Sequence, residues 1–185
     1  KATNYGGFAC FDLDHTLIKP KSGKVFPKNK DDWELLPNVL EVLESLNRAN
    51  WLVIIFTNQG GVGKRISKED IIIKFTDIAN LLPNNIYILA SIKNDYFRKP
   101  MKGMWDIIND KFNTVGKPKF YCGDAYDPSH KHLKASDLKF AMNGDVSFIY
   151  PEIIIIQDFT IDNLAYYVAE SLKCTVKNVD VLSKS

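Results

Sequence analysis

Short apolar runs alternate with amphipathic helical segments along most of this 185-residue chain, and that alternation most constrains its fold. The first run, residues 7–13, is almost continuously apolar, as is typical of a strand covered on both faces. The pattern predicts an α/β fold with a doubly wound parallel sheet, which binds ligands at the carboxyl ends of its strands. The predicted strands are residues 7–13, 51–56, 86–90, 120–122 and 147–149, and helices are predicted to begin near residues 38, 67, 104 and 136.

The length predicts a single domain over residues 1–185, with a motif core at about 7–152 and a C-terminal helix and tail at 157–185. Apolar residues make up 45% of the chain, yet no apolar run approaches the ~20 residues of a membrane span, so we expect no membrane partner. The three cysteines are an odd count without CxxC spacing, which predicts an intracellular, reducing compartment. We also expect a monomer.

Polar groups follow the first four predicted strands. Asp12 and Asp14 end the first strand, Thr57 ends the second, Lys99 lies in the loop after the third, and Asp124 follows the fourth. Because the carboxyl ends of parallel strands share one edge of the sheet, we expect these groups to converge. Clustered carboxylates repel one another unless a cation neutralises them, and an all-oxygen set suits Mg²⁺. Lysine and hydroxyl groups suit phosphate, so the set predicts a metal-assisted phosphoryl site with an aspartate nucleophile.

The residues at 11–16, Phe-Asp-Leu-Asp-His-Thr, resemble the DxDxT signature of the haloacid-dehalogenase superfamily of phosphohydrolases. Further stretches narrow the resemblance to the polynucleotide 3′-phosphatase family, which includes the phosphatase half of polynucleotide kinase–phosphatase. The stretches that carry this resemblance are residues 55–65, 97–106 (RKPMKGMWD from 98), 123–125 and 136–143 (SDLKFAMN). The resemblance spans about 7–152 and implies a Rossmann-like sheet. It also implies that a kinase domain can lie outside this chain.

The resemblance implies that Asp12 attacks phosphorus and that Asp14 protonates the leaving oxygen and then activates water. This division is physically sensible, because residues i and i+2 of an extended segment point to the same side. A general acid contributes about 10²–10⁴-fold to such a cleavage. The resemblance further implies phosphate contacts from Thr57, Asn58 and Lys99, and metal ligands from Asp12, Asp14 (through its backbone carbonyl), Asp124 and Asp137.

Positive charge is concentrated in the loops that follow the predicted strands. Residues 15–30, 57–68, 93–102 and 124–139 hold 15 of the 24 basic residues but 4 of the 22 acidic ones. Such a face attracts a polyanion despite a net charge of +2. The stretch between the first strand and the next helix is too short for a large cap domain, so we expect an open crevice. The predicted nucleic-acid-binding residues are Lys21, Lys24, Lys64, Arg65, Arg98 and Lys102.

Together these features predict a Mg²⁺-dependent phosphatase that removes 3′-phosphates from single-stranded, nicked or duplex DNA ends during repair. The 3′ assignment rests on the resemblance, since charge alone predicts only a polyanionic substrate. One alternative is a capless small-molecule phosphatase of the histidinol-phosphate or heptose-bisphosphate type, which usually carries a zinc loop that the scattered cysteines here do not supply. A receiver-type signalling domain and an inactive binder of nucleic-acid ends are further alternatives. Asp14 argues against the receiver domain, and the full set of Asp12, Asp14 and Lys99 argues against the inactive binder.

Overall fold

The computed structural model describes residues 4–153, which form a five-stranded parallel sheet, a two-stranded hairpin and four helices. In chain order the strands are β1 (Gly7–Phe11), β2 (Ile18–Lys19), β3 (Glu34–Leu35), β4 (Trp51–Asn58), β5 (Ile86–Ser91), β6 (Lys119–Cys122) and β7 (Ser147–Ile149). The helices are α1 (Val39–Arg48), α2 (Lys68–Leu81), α3 (Gly103–Lys111) and α4 (Ser136–Asn143). The five predicted strands and these four helices are confirmed, while the predicted C-terminal helix and tail lie outside the described residues.

The sheet separates two apolar cores, each covered by a pair of helices. On one face α1 and α2 pack through residues such as Leu43 and Ile78, which share a core with Phe11. On the other face α3 and α4 contribute Trp105 and Phe140, whose rings stack with centroids 4.8 Å apart. Helices on both faces make the sheet doubly wound, as predicted. Within residues 4–153, no helix is both long enough and apolar enough to cross a membrane.

The order of the strands places the crevice of the sheet beside β1. The parallel sheet runs β5–β4–β1–β6–β7, so β1 pairs with β4 on one side and β6 on the other. The connection after β1 leads towards β4, while the connection after β6 leads the other way towards β7. Ligands bind at such reversals, outside the carboxyl ends of the strands. Asp12 follows β1 directly and Asp124 follows β6 after one glycine. Both carboxylates consequently emerge at this crevice.

The hairpin of β2 and β3 has no counterpart in the predicted elements, because two-residue strands carry no readable alternation. It occupies the stretch between β1 and α1, which the sequence predicts to be too short for a large cap domain. The connecting loop is held by Asp32, whose carboxylate accepts hydrogen bonds from the Lys28 N–H (2.8 Å), the Ser22 N–H (2.8 Å) and the Ser22 hydroxyl (2.7 Å). The bond from Lys28, with those from Ser22, lowers the pKa of Asp32 to about 2.

Candidate active site

Asp12 and Lys99 form a buried ion pair at the carboxyl ends of the strands. The N–H of Asp12 donates to the Cys122 carbonyl at 2.9 Å, which continues the pairing of β1 with β6. Lys99 comes from the loop between β5 and α3, and its Nζ donates a 2.7 Å hydrogen bond to Oδ1 of Asp12. Lys99 is only 4% exposed, so water screens this attraction weakly. The predicted nucleophile and the predicted phosphate-binding lysine are therefore neighbours.

A second carboxylate, that of Asp137 in the first turn of α4, shares the same ammonium. Its Oδ1 accepts from Lys99 Nζ at 2.9 Å and from the Tyr121 hydroxyl at 2.6 Å, and its Oδ2 accepts from the Ala125 N–H at 3.0 Å. Tyr121 accepts in turn from Lys99 at 2.8 Å, so all three ammonium protons have partners. Gly123 leaves room for this arrangement, because a Cβ there would collide with the Asp137 carboxyl group.

Asp124 completes a group of three carboxylates that could hold a cation. One carboxylate oxygen from each of Asp12, Asp124 and Asp137 lies within 4.8 Å of the other two. The Thr16 hydroxyl braces the group: it accepts from the Asp124 N–H at 3.0 Å and lies 3.4 Å from Oδ2 of Asp12 and 3.3 Å from Oδ1 of Asp124. This all-oxygen donor set fits a hard divalent cation.

The electrostatics of the group also favour a cation. Burial raises the pKa of Asp12 well above its ordinary value, and the charges of Asp137 and Asp124 add to the shift, while Lys99 opposes it. Burial likewise raises the pKa of Asp124. Burial lowers the pKa of Lys99, but the carboxylates of Asp12 and Asp137 outweigh this and raise it overall, so the ammonium stays charged. One ammonium faces three carboxylates, and a bound divalent cation would supply the missing positive charge.

Asp14 lies on the wall of the same crevice and is held by Gln59. The Gln59 side-chain amide donates to Oδ2 of Asp14 at 3.0 Å and to the hydroxyl of Thr57 at 2.7 Å. Thr57 is buried near the end of β4. One amide therefore fixes both the predicted general acid and a predicted phosphate ligand.

Asn58 is joined to the main chain of Lys99 rather than to another side chain. Its Nδ2 donates to the Lys99 carbonyl at 3.1 Å, and its Oδ1 accepts from the Lys99 N–H at 2.9 Å. This reciprocal pair fixes the loop after β5 against the end of β4. The phosphate contact expected of Asn58 stays a prediction, and the structure shows that its side chain positions Lys99.

The carboxylates lie in a cavity of about 1310 Å³, bordered by the hairpin loop and by the loops after β4, β5 and β6. Among the described residues, nine lysine and arginine side chains line this cavity, against four carboxylates. The four carboxylates are those of Asp12, Asp14, Asp124 and Asp137. Negative charge is therefore confined to the candidate metal and acid–base groups, and the rest of the charged wall is positive.

The predicted nucleic-acid-binding residues divide into two sets of three. Lys64, Arg65 and Arg98 line the cavity. The other set consists of exposed residues outside the cavity lining; it comprises Lys21, Lys24 and Lys102. Arg65 also stacks over the exposed ring of Phe26, with 4.4 Å from Cζ to the ring centroid, and so joins the hairpin loop to the loop after β4.

Sequence reasoning missed the site roles of Thr16, Gln59, Tyr121 and Phe26. Thr16 stands in the DxDxT pattern and Gln59 follows the predicted phosphate ligands, so both had a local signal. Tyr121 had none, because a tyrosine inside a buried strand is typical of core packing. Phe26 lies in an irregular loop whose place over the cavity depends on tertiary contacts.

Comparison with known proteins gives a family match and several relatives. A sequence-family model described as polynucleotide kinase 3 phosphatase matches residues 7–154. A relative from Schizosaccharomyces pombe, named bifunctional polynucleotide phosphatase/kinase, is 39% identical over 149 residues, covering 78% of this chain and 36% of the relative. A relative from Saccharomyces cerevisiae, named polynucleotide 3′-phosphatase, is 28% identical over 203 residues, covering 78% of this chain and 85% of the relative. The chain thus spans about a third of the first relative and most of the second.

A solved structure shares the fold. The D,D-heptose 1,7-bisphosphate phosphatase of B. bronchiseptica, in complex with magnesium and phosphate, aligns with a TM-score of 0.61 at 20% identity. The alignment covers 77% of this chain and 78% of that one. A likeness at this identity shows the fold, and it confirms the predicted fold class.

Proposed function

The chain belongs to the polynucleotide kinase 3 phosphatase family, and we propose that it hydrolyses terminal 3′-phosphates of DNA. The observation that carries this proposal is the position of Asp12, which is ion-paired to Lys99 at the base of a cavity whose remaining charged wall is basic. A nucleophile beside a fixed ammonium suits a phosphate monoester. A positive wall around it suits a substrate whose phosphate is attached to a polyanion.

We propose Mg²⁺ as the cation, with Asp12 and Asp124 as direct ligands. Asp137 already accepts three hydrogen bonds, so we expect it chiefly to hold Lys99 in place. The backbone carbonyl of Asp14 is a further proposed ligand. When bound, Mg²⁺ would neutralise part of the charge of these carboxylates and of the phosphate group.

The chemistry then falls to two carboxylates. Asp12 attacks phosphorus and forms an aspartyl-phosphate, while the bond to the 3′-oxygen breaks and Asp14 donates its proton to that oxygen. Asp14, now ionised, takes a proton from water, which attacks the aspartyl-phosphate and releases inorganic phosphate and free Asp12. Thr57 contacts the phosphate oxygens, and Lys99, whose protons are held by Asp12, Asp137 and Tyr121, places its positive charge beside them. Gln59 keeps Asp14 oriented through both steps by its 3.0 Å hydrogen bond.

The surroundings of the site favour a strand end over a small metabolite. The stretch between β1 and α1 forms a hairpin whose loop borders the cavity, and within residues 4–153 no separate cap domain covers the site. The exposed Phe26 ring offers a surface on which a base could stack. We propose a role in repair of DNA ends, in an intracellular, reducing compartment that suits the free, buried thiols of Cys10 and Cys122.

A substrate panel tests the proposal. The panel contains oligonucleotides with 3′- or 5′-phosphates in DNA and in RNA, together with histidinol phosphate and heptose 1,7-bisphosphate, each with Mg²⁺ or with EDTA. We expect the highest kcat/KM on 3′-phosphorylated DNA and no turnover in EDTA. A higher kcat/KM on either metabolite would assign the chain to the small-molecule phosphatases instead. An aspartyl-phosphate that persists for minutes would favour a signalling domain.

A further inference from the structure

Lys74 occupies a position on α2 at which an apolar residue is expected. The buried residues of this helix are Ile71, Lys74 and Ile78, which lie on one face at helical spacing. Lysines on such faces usually bury their methylene stem and keep the ammonium in water. Lys74 is only 3% exposed, so its stem is buried. Its ammonium keeps some contact with solvent, because no fully buried side-chain nitrogen in the described residues lacks a hydrogen-bond partner and this one makes none.

The ammonium of Lys74 has no partner within residues 4–153. Asp70 and Asp77 stand four residues before it and three after it on α2, spacings that permit ion pairs, but neither approaches within 4.0 Å. It makes no hydrogen bond in the described part of the chain. The buried ammonium of Lys99, by contrast, binds two carboxylates and a hydroxyl. An ammonium held at the end of a buried stem, with no partner of its own in this part of the chain, is available to an anion that enters beside it.

Lys74 lines the same cavity as Asp12. The same lining includes Ile71 of α2 and residues 92–94, the segment just after β5. The four carboxylates of the cavity all belong to the candidate metal and acid–base groups. Within residues 4–153 no carboxylate of the cavity is paired with Lys74, so its ammonium is open to an anion from a bound molecule.

We propose that Lys74 forms a second anion subsite, which binds an internucleotide phosphodiester of the strand whose 3′-phosphate lies at Asp12. This inference rests on the proposed function. A single ammonium on a buried stem suits the single negative charge of a diester, since lysine binds phosphate groups as a point charge. The subsite would let the enzyme distinguish a strand end from a lone phosphate monoester.

Neutral linkages test the subsite. The probes are short thymidine strands that end in a 3′-methylenephosphonate, which cannot be hydrolysed, with a neutral methylphosphonate at the first, second or third linkage from that end. Binding is measured in Mg²⁺ for the wild type, Lys74→Met and the control Lys68→Met, which removes an exposed lysine from the same helix. We expect a neutral linkage at one of the three positions to weaken binding by the wild type and by Lys68→Met by about tenfold. The same neutral linkage should not weaken binding by Lys74→Met any further.

Each outcome decides between the alternatives. If Lys74→Met weakens all strands equally and keeps the wild-type sensitivity to each linkage, Lys74 has a structural role and the subsite is wrong. Lys74→Arg keeps the charge and should keep the sensitive linkage, which covers the case in which Lys74→Met does not fold. Turnover of ordinary 3′-phosphorylated strands by the wild type is measured separately. If the wild type binds strands in a linkage-sensitive way but does not hydrolyse them, only the proposed function is refuted. If it hydrolyses strands but no linkage depends on Lys74, only the subsite is refuted. A wild type that binds no strand would refute both.

Discussion

Oδ1 of Asp12 and Nζ of Lys99 lie 2.7 Å apart, although 87 residues separate them in the chain. Three features bring them together: β1 ends at the centre of the sheet, β5 ends at its edge, and Asn58 holds the Lys99 main chain against β4. The proposed nucleophile is thus held by a cation before substrate arrives. Preorganised charge of this kind is a large contribution to enzymatic rate acceleration.

Removing this ammonium should inactivate the enzyme. We expect Lys99→Met to lower kcat/KM on a 3′-phosphorylated oligonucleotide by at least about a hundredfold, because the site loses a fixed positive charge next to the phosphate. The same change at the exposed Lys68 is the matched control. Steady-state kinetics with folding checked by circular dichroism measure the effect, and turnover within tenfold of the wild type would contradict the assignment.

Replacing the nucleophile should separate chemistry from binding. We expect Asp12→Asn to show no measurable turnover yet to bind a 3′-phosphorylated oligonucleotide, since the basic wall of the cavity is untouched. Fluorescence anisotropy with a labelled strand measures the binding. Substantial residual turnover in this variant would show that another group attacks phosphorus.

The loss of activity on removing the general acid should depend on how strongly the leaving group needs a proton. We expect Asp14→Asn to lower turnover of a 3′-phosphorylated strand by about 10²–10⁴-fold, because the departing sugar alkoxide needs a proton. 4-Nitrophenyl phosphate has a leaving group that departs without protonation, so its turnover should fall much less. Gln59→Leu, which removes the 3.0 Å bond to Asp14, should show the same pattern more weakly. Equal losses on both substrates would argue against the proton-donor role.

The two sets of predicted nucleic-acid-binding residues should contribute differently to the kcat/KM on oligonucleotides. We expect Ala at Lys64, Arg65 and Arg98, which line the cavity, to lower kcat/KM on oligonucleotides more than Ala at Lys21, Lys24 and Lys102. The cavity triple variant should also show a shallower dependence of kcat/KM on salt, because fewer counterions are released on binding. Aryl phosphate turnover should change less in both variants. A larger loss of kcat/KM from Ala at Lys21, Lys24 and Lys102 would show that the strand binds mainly outside the cavity.

The hairpin loop should lose stability at low pH through Asp32. Its pKa is about 2, below its ordinary value, so its stabilising effect is complete above about pH 4 and disappears as pH falls through 2. We expect the urea midpoint of the wild type to exceed that of Asp32→Asn by a constant amount from pH 7 to pH 5. The difference should shrink below about pH 4. A difference that persists unchanged at pH 3 would contradict the role of the Asp32 charge.

Mg²⁺ should stabilise the fold more at high pH than at low pH. Burial and mutual repulsion raise the pKa of Asp12 and of Asp124, so without metal the fold loses stability as pH rises above the ordinary carboxyl pKa of about 4. Mg²⁺ would relieve that repulsion, and at lower pH protons compete with it. We expect a larger Mg²⁺-induced rise in Tm at pH 7.5 than at pH 5, and no rise in Asp124→Asn. A rise independent of pH would indicate binding elsewhere.

The sequence by itself determined the sheet, its helices and the residues at the strand ends. Those features have local signals: apolar runs in β1 and β4, helical spacing in α1 and α2, and the Ser67 cap, whose hydroxyl accepts from the Asp70 N–H at 3.0 Å. The hairpin of β2 and β3 left no signal, because two residues cannot show a period.

Only the tertiary structure decided what several of these side chains do. Asn58 holds the main chain of Lys99, and Tyr121 bridges Lys99 to Asp137. Lys74 buries its stem, while its ammonium has no partner in residues 4–153. The cause is physical: a charge or hydroxyl takes its role from the groups that folding places around it and from how much water they exclude. The partners of Lys99 lie 22 to 87 residues away in the chain, beyond the reach of any local pattern.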